Sequence, residues 1–109
     1  MNSTLKSSYE LKAKIIKAMA HPSRMMIIDA LADQPKSAGE LVKLIGADAS
    51  TVSKHLSVLK NANLVSDDKQ GLSVIYSLTI PCISDFFKCV ESILFAHRDH
   101  IINCCKGEK

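Results

Sequence analysis

Two groups of side chains in this sequence have the types and spacing to do chemistry. The first is thiol-rich. Cys82, Cys89, Cys104 and Cys105 all lie in the last third of the chain, and His97 and His100 stand among them. Thiolates together with imidazoles suit Zn(II), Cd(II), Cu(I) or trivalent arsenic, and the same thiols oxidise to disulfides or polysulfides. At about 100° per residue, Cys82, Asp85, Cys89, Ile93, His97, His100 and Cys104 share roughly a third of one helix's circumference. Were two such helices to pair antiparallel about Ile93, Cys82 of one copy would approach Cys104 of the other, and Cys89 would approach His97. Cys104 and Cys105 stand about 100° apart, so one ion takes both only where the last turn frays, which Gly107 favours. The competing readings are a small buried hydrophobe for each cysteine and a polar stripe near a dimer seam for His97 and His100.

The second group is Ala49, Ser50, Thr51, Ser53, Lys54 and His55, which are mostly short donors and acceptors with two longer side chains. Hydroxyls bond phosphates or base edges, Lys54 neutralises a phosphate, and His55 does either. A B-DNA major groove is about 12 Å wide and accepts one α-helix, whose leading turns reach the bases. Lys60, Lys69 and Gln70 complete the candidate DNA contacts. Lys69 and Gln70 lie in a stretch that also holds Asp67 and Asp68, whose charge opposes phosphate contact, so that segment is expected to read DNA weakly. The competing reading of the whole group is a solvated helix face followed by a polar turn.

These residues need elements to position them. Leu11, Ile15, Ile16 and Met19 repeat at helical spacing from Tyr9 to Ala20, and the helix stops at His21-Pro22. A second helix opens on Pro22, carries Met25, Ile28, Leu31 and Ala32, and closes near Asp33 before Gln34-Pro35. Ser37 and Glu40 have the form of a capping box for a short third helix that Gly46 ends. Asp48 caps a fourth, with Val52, Leu56 and Leu59 on its apolar side. Leu64-Val65 and Ser73 to Leu78 read as a hairpin joined by a polar turn from Ser66 to Gly71. Pro81 to about Cys105 reads as a long fifth helix with Ile83, Phe87, Val90, Leu94 and Ile101 on one side.

The order predicts a mainly α fold with a small β-hairpin, a winged helix-turn-helix. Its expected limits are a polar tail over 1–8, one domain over 9–105 and a second tail over 106–109. The length of 109 residues and 47% apolar composition fit one domain. A net charge of +3 is compatible with a polyanionic partner without requiring one. No apolar run reaches membrane-spanning length and no signal-peptide pattern opens the chain, so a cytoplasmic location with no membrane partner is expected, with reduced cysteines. An enzyme is disfavoured: the sequence has no Cys-x-x-Cys, no glycine-rich phosphate loop and no grouped nucleophile, base and orienting acid. A metal buffer or interaction module is the remaining rival.

Ala18-Met-Ala-His-Pro-Ser-Arg-Met-Met-Ile-Ile, Gly39-Glu-Leu, Ser50-Thr-Val-Ser-Lys-His-Leu-Ser-Val-Leu-Lys-Asn-Ala-Asn-Leu-Val and Gly71 with Val74-Ile-Tyr-Ser-Leu together resemble the ArsR/SmtB family of repressors. The resemblance implies a homodimer joined mainly through the first and last helices, which occupies double-stranded operator DNA and leaves when an effector binds. It also narrows the effector. Ser37-Ala38-Gly39 stands where one family metal site has Cys-Val-Cys, which removes that thiol site. Ser84 and Phe86 occupy the positions of the aspartate and histidine of a second family site, of which only His97 and His100 persist. Adjacent cysteines near the carboxyl end, with a third nearby, are similar to those of arsenic sensors in the family. As(III) or a methylated arsenical is therefore the first expected effector, Zn(II) or Cd(II) the next, and a redox or reactive-sulfur signal the alternative.

Overall fold

The computed structural model describes the backbone of residues 3–106 and the side chains of residues 4–96. Its elements are α1 (Ser3–Met19), α2 (Pro22–Asp33), β1 (Lys36–Ser37), α3 (Ala38–Ile45), α4 (Ala49–Asn61), β2 (Val65–Gln70), β3 (Ser73–Leu78) and α5 (Ile83–Lys106). The strands form one antiparallel sheet in the order β1-β3-β2. This is the winged helix-turn-helix that the sequence pattern predicts.

The helix boundaries follow local chemistry. Pro22 sits in the first turn of α2, where its missing N–H costs nothing, and the His21 imidazole accepts from the Ser23 N–H at 3.0 Å. The capping box of α3 is complete: Ser37 N–H donates to Glu40 Oε1 at 2.8 Å, and Glu40 N–H donates to Ser37 Oγ at 3.1 Å. These bonds hold the Glu40 carboxyl below its ordinary range. Gly46 ends α3 with φ of 76°, a left-handed conformation in which a Cβ is strained. The tight turn it makes sets α3 against α4.

The core lies where α2, α3, α4 and the sheet meet. Ile27, Ile28, Leu41, Val52, Leu59 and Leu64 are almost wholly buried within it. The apolar side predicted for the fourth helix, Val52, Leu56 and Leu59, is buried as expected. Packing of this kind makes α4 a rigid platform, because each wholly buried aliphatic side chain contributes about 1.5–3 kcal/mol.

Four boundaries differ from the sequence reading. Helix α1 begins at Ser3, so the backbone from there to Ser8, expected as a tail, is helical; the polar residues carry no apolar stripe to reveal it. Helix α5 starts at Ile83 rather than Pro81 and continues through Cys104 and Cys105 to Lys106, so the backbone at the cysteine pair is helical. The turn expected over Ser66 to Gly71 is mostly strand, with Val65↔Leu78 to Gln70↔Ser73 in register, because ladder hydrogen bonds hold β2 without an apolar side-chain pattern. The short β1, paired as Lys36↔Tyr76 and Ser37↔Ile75, has too few residues to show a period.

The apolar sides of α1 and α5 are largely open in the single chain. Leu11 is 64% exposed and Ile93 72%, and Ile15, Ile16, Val90 and Leu94 are exposed as well. Of the apolar residues predicted for one side of α5, Phe87 is buried and Ile83 is half-buried.

Candidate nucleic-acid interface

The leading turns of α4 are held from behind and open in front. Asp48 Oδ1 accepts the Thr51 N–H at 2.7 Å, which caps the helix and holds the Asp48 carboxyl below its ordinary range. That bond directs a carboxylate, otherwise repulsive to phosphate, onto the helix's own N–H. Ala49, Ser50, Thr51, Ser53 and Lys54 are exposed, while Val52 and Leu56 one turn apart are buried. The alternation places hydroxyls and an ammonium outward on a helix that cannot roll without emptying the core. Among the described residues Lys54 and Lys69 form no ion pair.

His55 is placed differently from its neighbours. It is half-buried, and Arg24 Nη1 donates to its Nδ1 at 3.4 Å. Since a guanidinium only donates, Nδ1 accepts and the ring proton sits on Nε2. Burial lowers the His55 pKa from its ordinary value, and the charges of His21 and Arg24 lower it further. The contact with Arg24 joins α4 to the first turn of α2. Arg24 and His21 were absent from the sequence-derived site; the contact between Arg24 and His55 spans 31 residues and leaves no periodic trace.

Two other expected DNA contacts are engaged within the chain. Lys60 Nζ donates to Asp67 Oδ2 at 2.9 Å, and Gln70 Nε2 donates to Asp68 Oδ2 at 3.2 Å. The first bond ties the end of α4 to the hairpin. Both acidic residues of the wing thus have internal donors.

The thiol group divides. Cys82 and Cys89 are exposed and not joined in a disulfide; Cys82 lies in the turn before α5 begins at Ile83, off the helix face on which the sequence pattern set it, and Cys89 is within the helix. His97, His100, Cys104 and Cys105 lie outside the residues whose side chains are described. Among the described residues no group of three or more His, Cys, Asp or Glu side chains is placed to hold a metal ion. No helix among them is long and apolar enough to cross a membrane.

Residues 21–67, which hold the capped α2, α3 and α4, match the family model described as bacterial regulatory protein, arsR family. The chain is similar to the HTH-type transcriptional regulator Rv0081 of Mycobacterium tuberculosis, 34% identical over 87 residues covering 79% of this chain and 76% of that one. The crystal structure of Rv0081 superposes with a TM-score of 0.76 at 32% identity, over 86% of this chain and 95% of the other. The transcriptional repressor SdpR of Bacillus subtilis is 31% identical over 71 residues, covering 65% of this chain and 79% of SdpR. In fold alone, the homodimeric winged helix-turn-helix DNA-binding domain of Mb0332 from Mycobacterium bovis is also similar, with a TM-score of 0.77 at 23% identity over 92% and 93% of the two chains. Capped helices, buried platform and family match agree: the chain belongs to the arsR family of bacterial regulatory proteins, whose members are winged helix-turn-helix transcriptional regulators and not enzymes.

Proposed function

We propose that the chain acts in the cytoplasm as a homodimeric repressor that sets two copies of α4 into successive major grooves of an operator and is released by a thiophilic effector. The observation that carries the DNA reading is the outward row Ser50, Thr51, Ser53 and Lys54 on a helix whose opposite side is locked in the core. Lys54 neutralises a phosphate and the hydroxyls meet phosphates or base edges, while Lys69 on the hairpin adds a flanking charge. The open apolar sides of α1 and α5 support pairing with a second copy, in keeping with the homodimeric Mb0332 domain.

The effector half of the proposal rests on α5 and the turn that leads into it. Exposed Cys82 and Cys89 are accessible to a soft ion, and Cys104 and Cys105, with His97 and His100 as further ligands, complete the candidate donors. Trivalent arsenic or a methylated arsenical is the preferred ligand, with Zn(II) or Cd(II) next. Fluorescence anisotropy of a duplex selected in vitro, titrated with As(III), a methylated arsenical, Zn(II), Cd(II) and persulfide, tests this. Release by As(III) that is abolished in cysteine-to-serine variants supports the metalloid reading. Release by persulfide alone replaces it with thiol oxidation. Metal uptake with no change in DNA affinity contradicts an effector role.

A further inference from the structure

We propose that Leu72, at the tip of the β2–β3 hairpin, is an apolar wedge laid into the minor groove beside the major groove that α4 occupies; the inference rests on the DNA reading of α4 given above. The register closes the hairpin at Gln70↔Ser73, leaving Gly71 and Leu72 as a two-residue turn. Gly71 has φ of 65°, and Leu72 is not among the residues of positive φ, the glycine-first pattern of a type II′ turn. Such a turn places no demand for an apolar residue at its second position. Leu72 is nevertheless 105% exposed, so its side chain lies wholly in water and adds nothing to the core.

The surroundings of the tip fit a DNA contact better than a solvent turn. The two hairpin carboxylates that would repel a phosphate backbone are drawn onto Lys60 and the Gln70 amide. Leu64 and Val65, buried in the core with Leu56 and Leu59 of α4, join the base of the hairpin to that helix, and the Lys60–Asp67 bond adds a second link, so when the helix enters its groove the tip lies at the flank. There the apolar side chain has deoxyribose and base edges to pack on, with Lys69 close by in the strand for the adjoining phosphate. A minor groove about 6 Å wide admits an aliphatic side chain, and insertion is least costly at flexible pyrimidine–purine steps. The wedge thus gives the flanks of the operator a sequence preference that carries no hydrogen-bond code.

The test uses the full-length protein and a duplex recovered with it by in vitro selection, carrying 2-aminopurine at successive positions of each flank. Leu72→Ala is expected to lower affinity about tenfold for each wedge lost, hence about a hundredfold for a dimer that inserts two, as truncation of buried aliphatic side chains does. It should leave the thermal midpoint and the salt dependence unchanged and abolish the rise in 2-aminopurine fluorescence on binding. Leu72→Met should retain affinity and fluorescence. Equal affinity and fluorescence for wild type and Leu72→Ala overturns the wedge while leaving the α4 reading intact. So does tighter binding by Leu72→Lys with a steeper salt dependence and the same fluorescence, which makes the tip a phosphate contact. Failure of the wild-type protein to enrich any duplex overturns the α4 reading and the wedge with it.

Discussion

The imidazole rings of His21 and His55 face one another with centroids 4.4 Å apart and planes inclined by 44°. His21 also caps α2 through the Ser23 N–H, and His55 accepts from Arg24, so one contact couples the start of α2 to the middle of α4. The bond from Arg24 requires an unprotonated Nδ1 on His55. The consequence is a dependence on pH. The folded state lowers the His55 pKa from 6.5, mainly through burial, so below that value the unfolded chain binds more protons than the folded one. Stability is fully present above about pH 6.5 and falls as the solution is acidified through the folded-state value. Urea unfolding followed from pH 7.5 to 5 should show this decline, and His55→Gln should flatten it; an unchanged slope contradicts the assignment.

Asp29 provides the opposite sign. Burial, then the charge of Glu91 on α5, raises its pKa from 3.8. Its ionised form is therefore disfavoured in the folded state at neutral pH. Asp29→Asn is expected to raise the thermal midpoint at pH 7, with the gain shrinking as the pH falls through the folded-state value and gone only well below 3.8, where both states of the wild-type carboxyl are protonated. A lower midpoint at pH 7 would show that Asp29 has a favourable partner instead.

Lys54 and Lys60 lie on the same helix with different engagements. Lys54→Ala should weaken binding to all duplexes and reduce the slope of log affinity against log salt by about 0.9 for each phosphate no longer neutralised, hence by nearly two units in a dimer. Lys60 is held by Asp67, so Lys60→Ala should change the slope less and cost no more than about 1 kcal/mol of stability, as exposed pairs do. Asp67→Asn should release Lys60 and steepen the salt dependence. Equal slopes for all three variants would remove the distinction.

The open side of α5 gives a prediction about assembly. Ile93, exposed in the single chain, should be covered in a dimer, and Ile93→Glu should shift sedimentation equilibrium toward monomer and weaken operator binding together. Its thermal midpoint, measured at monomer-forming concentration, should match that of similarly diluted wild type. A variant that remains dimeric with full DNA affinity places the interface elsewhere.

The helix-turn-helix was legible because its signals are local. Pro22, the Ser37–Glu40 box, Gly46 and Asp48 mark boundaries within a few residues, and Val52, Leu56 and Leu59 repeat on one side of α4. The hairpin was only half legible: Ser66 to Gln70 joins the strand begun at Val65 through pairing with β3, while its own side chains read as a turn. Sequence placed His55 on α4 but gave no sign of its contacts, because Arg24 and His21 reach it through tertiary packing. The apolar stripes of α1 and α5 predicted buried sides that a single chain leaves largely open, since a stripe does not say which molecule covers it.

The central claim is that exposed residues in the first turns of α4 read DNA from a paired assembly. Its most direct test is a salt-dependent anisotropy titration of wild type and the Ser50→Ala/Lys54→Ala double variant on an in vitro selected palindromic duplex, with stoichiometry measured on the same complex. The account predicts two protomers per duplex, affinity that falls steeply as salt rises, and a weaker, less salt-dependent complex for the variant. Binding by wild type and variant with the same affinity and slope, or no retention of any duplex at low salt, would contradict it.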